Sequence, residues 1–126
     1  MAGLGAGFDY NTWPLMADAV VPTGLYDAGP WWLAVFEDVL SVQFDHRILA
    51  YLTFILAIVL FWRAKKLSVT RWQYASHLML FITVSLQLLL GIATLLSVVS
   101  LPLAVLHQAG AILLFSSAIL ARHACR

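Results

Sequence analysis

Charge is scarce in this sequence. Lysine, arginine, aspartate and glutamate together make up 10% of its 126 residues, against roughly 25% in an ordinary soluble domain. Hydrophobic residues make up 63%, more apolar surface than a water-soluble domain of this size can hide, so a lipid bilayer is the natural solvent. Cysteine is nearly missing. The single Cys125 excludes an intramolecular disulfide, and a lone thiol beside the C-terminus fits no zinc pattern. No basic cluster is interleaved with aromatic residues, and the net charge is +1, so nothing points to nucleic acid as a partner. The opening MAGLGAGFDYNTWP lacks a basic n-region and a sustained apolar core, and no secretory signal peptide is expected there.

Long apolar runs, by contrast, are plentiful. Crossing a hydrocarbon layer of about 30 Å takes about 20 helical residues. Three stretches qualify: 42–62, 74–99 and 103–121. Residues 100–102 read as a tight turn between the last two, and Pro102 suits a helix start, where its missing N–H would be unpaired anyway. Residues 10–41 differ in character, with Pro14, Pro22, Pro30, several glycines and tryptophans at 13, 31 and 32. Within them, PWWLAVFEDVLS reads as a short helix lying in the membrane interface, where tryptophan is favoured. Residues 1–9 read as the end of a truncated helix, the small apolar positions 2–8 being too few to span. The expected fold class is all-α, a polytopic membrane protein with three transmembrane helices.

The few charges are sorted by side. Arg63, Lys65, Lys66 and Arg71 fall in the 63–73 connection, and Arg122 and Arg126 in the 122–126 tail, so six of the seven basic residues share one side. All six acids, Asp9, Asp18, Asp27, Glu37, Asp38 and Asp45, fall on the other. The positive-inside rule makes the basic side cytoplasmic, or matrix in a mitochondrion.

Two histidines then fall at one depth. His46 enters from the outer side roughly four residues into the first span, about 6 Å deep. His107 lies five residues into the third span from the same side, about 7 to 8 Å deep. Imidazole is a common haem iron ligand, and helix bundles build cofactor sites from facing helices. Gly110 and Ala111 follow His107 at i+3 and i+4 on its face, as Ala50 follows His46, leaving space for a flat macrocycle. On the middle helix Gly91 shares a stripe with Gln87 and Thr94. Arg47, the one basic residue on the acidic side, has a guanidinium well shaped for haem propionates.

Spacing alone leaves plainer readings open. His46 can snorkel to the interface, and His107 can hydrogen-bond across helices beside Gln108. Arg47 can pair with Asp45 or Glu37 in a solvated cluster. Gly91 can serve only close helix packing, and the tryptophans only an interfacial belt. His77 and His123 lie toward the basic side, away from the pair.

The stretches AGFDYNTWPLM, VQFDHRILAYLT and LLLGIATLLSVVSLPLAVLHQAGAILL resemble, in this order, the C-terminal half of haem A synthases of the alphaproteobacterial and mitochondrial type. The resemblance implies two similar four-helix halves, with the three spans here forming most of the second, a haem-binding bundle. It implies that His46 and His107 are the axial ligands of a haem b, and that residues 2–8 end the fifth helix. It further implies an oxidoreductase acting on a methyl group of haem O, the N-terminal half as partner, and either the bacterial inner membrane or the inner mitochondrial membrane. Two departures stand out. The N-terminal half, which in the family carries the substrate site and a glutamate three residues before its first histidine, is not in this sequence. At the equivalent place before His46 stands Gln43, which is neutral and cannot act as a carboxylate acid or base. No catalytic residue is therefore expected in this half, and the chain alone is expected to be inactive. The alternatives are a stand-alone bis-histidine cytochrome b carrying electrons, completed by a second copy in a homo-oligomer, and a haem-free assembly or scaffold subunit.

Overall fold

Residues 5–126 are described by a computed structural model, and every element among them is helical apart from one isolated bridge between Met16 and Ala19. The helices are α1 (Ala6–Asp9), α2 (Trp31–Glu37), α3 (Val39–Lys66), α4 (Arg71–Leu96) and α5 (Leu101–Ala124). Among the described residues α3, α4 and α5 are long and apolar enough to cross a membrane. The expected helix end at residues 1–9 is represented by the single turn α1, and residues 1–4 lie outside the described residues.

Each helix starts and stops for a local reason. Asp38 caps α3 by accepting the backbone N–H of Ser41 at 3.1 Å. Thr70 caps α4 in a reciprocal box with Gln73: each side chain takes up the other's backbone N–H, at 3.2 and 2.9 Å. Such a box satisfies two N–H groups that no helical carbonyl can reach. The basic ends run past the apolar stretches, to Lys66 and Ala124. Arg63, Lys65 and Lys66 end α3, and Arg122 and His123 end α5, where cations complement the negative end of the helix dipole.

The outer turn departs from the hydropathy pattern. Apolarity carries the second span to Val99, but α4 ends at Leu96, and Val98 and Val99 stand in the left-handed region at φ 53° and 56°. Branched residues seldom adopt that conformation. The Val99 N–H returns to the Thr94 carbonyl at 2.9 Å, and Ser97 Oγ donates to the same carbonyl at 2.9 Å. The turn thus lies at 97–100 rather than 100–102, and Leu101 and Pro102 already belong to α5. Hydropathy could not see this, because valine is as apolar in a turn as in a span.

The middle helix α4 packs on both α3 and α5, while α1 and α2 rest on α3. Small residues make the close approach possible: Ala57, Ala64, Ser76, Ser117 and Ala121 are all buried. Ala57, Leu80, Val84 and Ala121 form the core, flanked by an aromatic stack in which Phe81 lies 5.1 Å from Phe61 and 6.2 Å from Phe54. Large apolar side chains such as Leu89, Ile112 and Phe115 face outward instead, each more than 60% exposed. That inversion suits lipid, in which helices associate through small residues rather than by hiding leucines from water.

The 10–41 segment is tied down by polar contacts to α3. The Tyr26 hydroxyl donates to Asp45 at 2.6 Å, and the Tyr26 N–H to Ser41 Oγ at 2.8 Å. The bond to the Asp45 carboxylate, with a smaller contribution from burial, raises the Tyr26 phenol above its ordinary value of 10.0. A phenol whose folded value is raised favours the fold in its neutral form. This contribution is complete below the unfolded value and is lost as pH rises through the folded one. Ultraviolet titration is therefore expected to show one tyrosine ionising later than the others, absent in Tyr26→Phe. An unchanged titration in that variant would refute the contact.

Candidate functional site

A cavity of about 490 Å³ opens among α3, α4 and α5, closed on one flank by Phe8 of α1 and by Trp13. It falls within the roughly 300–1,000 Å³ typical of ligand sites. Its walls are largely apolar, from Leu49, Val84, Leu88, Ile92, Leu95 and Leu114, with a smaller set of polar side chains among them.

Those polar groups begin with the two histidines. His46 on α3 and His107 on α5 both border the cavity, with ring centroids 6.4 Å apart and ring planes 77° to one another. Metal–imidazole bonds run to about 2.0–2.1 Å, and bond lengths within each ring put its centroid about 1.1 Å behind the nitrogen. One metal ion held between two imidazoles thus separates the centroids by about 6.2 to 6.4 Å. By distance alone, the observed separation matches that spacing.

His107 is held against α4. Gln87 Nε2 donates to its backbone carbonyl at 2.7 Å. Gly91 permits the approach: a Cβ there would stand 3.0 Å from His107 Cε1 and 3.6 Å from both ring nitrogens. His107 Nδ1 is buried without a hydrogen-bond partner, and so is Gln87 Oε1. The ring is therefore positioned by packing, and its nitrogens are not committed to another side chain.

The two glycines singled out in the sequence separate here. Gly91 borders the cavity directly. Gly110 does not. It sits at the α4–α5 contact, where a Cβ would collide with Gln87 Oε1, so its missing side chain accommodates the glutamine that holds His107. Ala50, Ala111 and Thr94 line the cavity wall.

Arg47 also borders the cavity, and its guanidinium reaches the loop. Nη2 donates to the carbonyls of Tyr10 at 3.1 Å and Thr12 at 2.8 Å, and Nη1 to that of Leu15 at 3.3 Å. Nε remains buried and unpartnered. Asp45 is engaged with Tyr26 rather than with Arg47. At the opposite end, His77 Nδ1 bonds the Gln73 carbonyl at 2.7 Å, and Nε2 lies 3.9 Å from Cys125 Sγ. It takes no part in the cavity, and neither does His123 in the last turn of α5.

Two contacts were not anticipated. Gln43, 1% exposed, donates from Nε2 to the Tyr10 carbonyl at 2.6 Å, with Oε1 buried and unpaired. Trp13 Nε1 donates to the Tyr51 hydroxyl at 2.9 Å, both residues lining the cavity. A signal for them was present: Gln43, Arg47 and Tyr51 recur every four residues and so share one face of α3. All three meet the 10–15 segment, which they strap across the cavity flank.

Comparison with known proteins adds to this geometry. A family model described as cytochrome oxidase assembly protein matches residues 1–119. A heme A synthase of Rhizobium johnstonii is 44% identical over 119 residues, covering 94% of this chain and 32% of the relative. One from Nitrosospira multiformis is 39% identical over 126 residues, covering 100% of this chain and 35% of the relative. One from Parvibaculum lavamentivorans is 42% identical over 119 residues, covering 94% and 33%. The chain spans about a third of the length of the curated relatives it matches. No solved structure matches it.

Proposed function

The chain belongs to the cytochrome oxidase assembly protein family, and on that premise we propose that it forms the haem b-binding part of a haem A synthase, the membrane oxidoreductase that converts haem O to haem A. The observation that carries this reading is the histidine pair, 6.4 Å apart between centroids across one cavity. The relatives named heme A synthase support it.

His46 and His107 are the axial ligands in this reading. His46 and His107 would hold the iron through their imidazoles, and a haem b bound there would supply one-electron chemistry. Gly91 lets His107 stand against α4, and Gln87 holds the backbone behind it. Arg47 anchors the 10–15 segment with its terminal nitrogens and has Nε left to meet a propionate. Gln43 is an amide, unable to take or give a proton as a carboxylate does. Oxidation of the substrate methyl group is accordingly assigned to the complete enzyme, with the N-terminal half as partner, and not to this site. The charge asymmetry supports a basic end facing the cytoplasm, or the matrix if mitochondrial, with the histidines near the outer surface.

The direct test is the absorption spectrum of the purified chain in detergent, oxidised and then reduced. Sharp low-spin bands of a b-type haem are expected. No haem, even after reconstitution with the N-terminal half of a relative, would reduce the histidines to interhelical contacts.

A further inference from the structure

A second cavity, about 370 Å³, lies at the basic end between the close of α3 and the start of α4. Its lining includes Lys65, Thr70, Arg71, Leu67 and Tyr74. We propose that this cavity holds the phosphate headgroup of an anionic membrane lipid. The proposal rests on the helices lying in a bilayer and is independent of the haem.

Charge argues first. Arg63, Lys65 and Lys66 at the end of α3 and Arg71 at the start of α4 face one short connection. The end of α5 adds Arg122 and Arg126, brought alongside where Cys125 meets His77. The acid nearest in sequence is Asp45, eighteen residues before Arg63 and thus about 27 Å away along α3. Among the described residues no aspartate or glutamate side chain lies at this end of the helices, so the cluster is open to an external anion. Clusters of this kind at a membrane face contribute about a factor of five in affinity per basic residue.

Depth and shape argue next. Trp62 near the end of α3 and Trp72 in the first turn of α4 are 62% and 55% exposed, and tryptophan is favoured at the level of lipid headgroups. Lys65 Nζ lies 5.6 Å from the centre of the Phe61 ring, so its stem follows an apolar surface while the ammonium stays at the headgroup level. Arg71 offers a planar fork suited to phosphate oxygens, and Lys65 a point charge. Leu67 and Tyr74 give the same cavity an apolar wall, which suits a glycerol backbone and acyl chains better than a free phosphate.

The test is native mass spectrometry of the full chain with phosphatidylglycerol or phosphatidylcholine added at equal mole fraction. Phosphatidylglycerol is expected to remain bound preferentially. The variant K65Q/R71Q should lose at least about tenfold of that binding. R63Q/K66Q removes the same charge outside the cavity and should lose several-fold less than K65Q/R71Q. R71K, which keeps the charge, should retain most binding and so guards against misfolding as the cause. Equal losses in the two double variants would reduce the site to diffuse surface attraction. Displacement by millimolar inorganic phosphate, or no preference over phosphatidylcholine, would overturn the lipid assignment.

Discussion

Replacing His107 with alanine is expected to abolish the low-spin haem spectrum, and His46→Ala to do the same. Both rings border one cavity, and under the proposed ligand role removal of either leaves the iron one strong ligand short. The remaining complex should be high-spin or empty. Changes to residues that merely support a ligand typically cost 10- to 100-fold in metal affinity, so loss of a ligand itself should cost at least about 100-fold. His77→Ala is the control, because that ring is engaged with Gln73 and Cys125 at the other end of the bundle. Spectra unchanged in the His46 or His107 variant, or equally disturbed in all three, would remove the pair from the ligand role.

The second large effect is expected at Gly91. An added Cβ would press on His107 Cε1 at 3.0 Å, closer than a ring and a methyl group tolerate without one of them moving. Alanine asks the ring to shift by a few tenths of an ångström. Leucine drives further atoms into the space beside it. Overpacking of this kind costs about 1–3 kcal/mol, and because the ring that must move is the proposed ligand, Gly91→Leu should weaken haem binding roughly 5- to 150-fold. Gly110→Ala offers the contrast. Its Cβ would displace Gln87 rather than an imidazole, so it should lower the thermal midpoint of the bundle more than it alters the haem spectrum. Titrating haem into each variant while following thermal unfolding separates the two. Comparable haem affinity in Gly91→Leu and the parent would show that α4 does not position His107.

These expectations depend on unequal parts of the sequence. The existence of α3, α4 and α5 was legible because each is a run of apolar residues longer than a bilayer is thick, bounded by basic residues on one side and, between α4 and α5, by a serine- and proline-bearing turn. The matched depth of His46 and His107 was legible for the same reason: counting residues from a helix start measures distance along its axis. Where α4 stops was not legible, since Val98 and Val99 are apolar yet left-handed. The work of Gln43, Tyr51 and Trp13 was visible only as a four-residue recurrence on α3, with nothing to name the loop carbonyl or ring each would meet.

The sequence by itself thus determined the all-helical class, the membrane as solvent, the sorting of charge and the level at which the histidines stand. All of these follow from local composition and from rise per residue. Tertiary structure alone decided which way each helix turns about its axis, and therefore that Gly91 meets His107 while Gly110 meets Gln87. It also decided that Arg47 serves the 10–15 loop. Helix rotation is set by which small residues nest against a neighbour, here Ala57, Ser117 and Ala121 around α4. In helices apolar on every side, no hydrophobic face records that choice in the sequence.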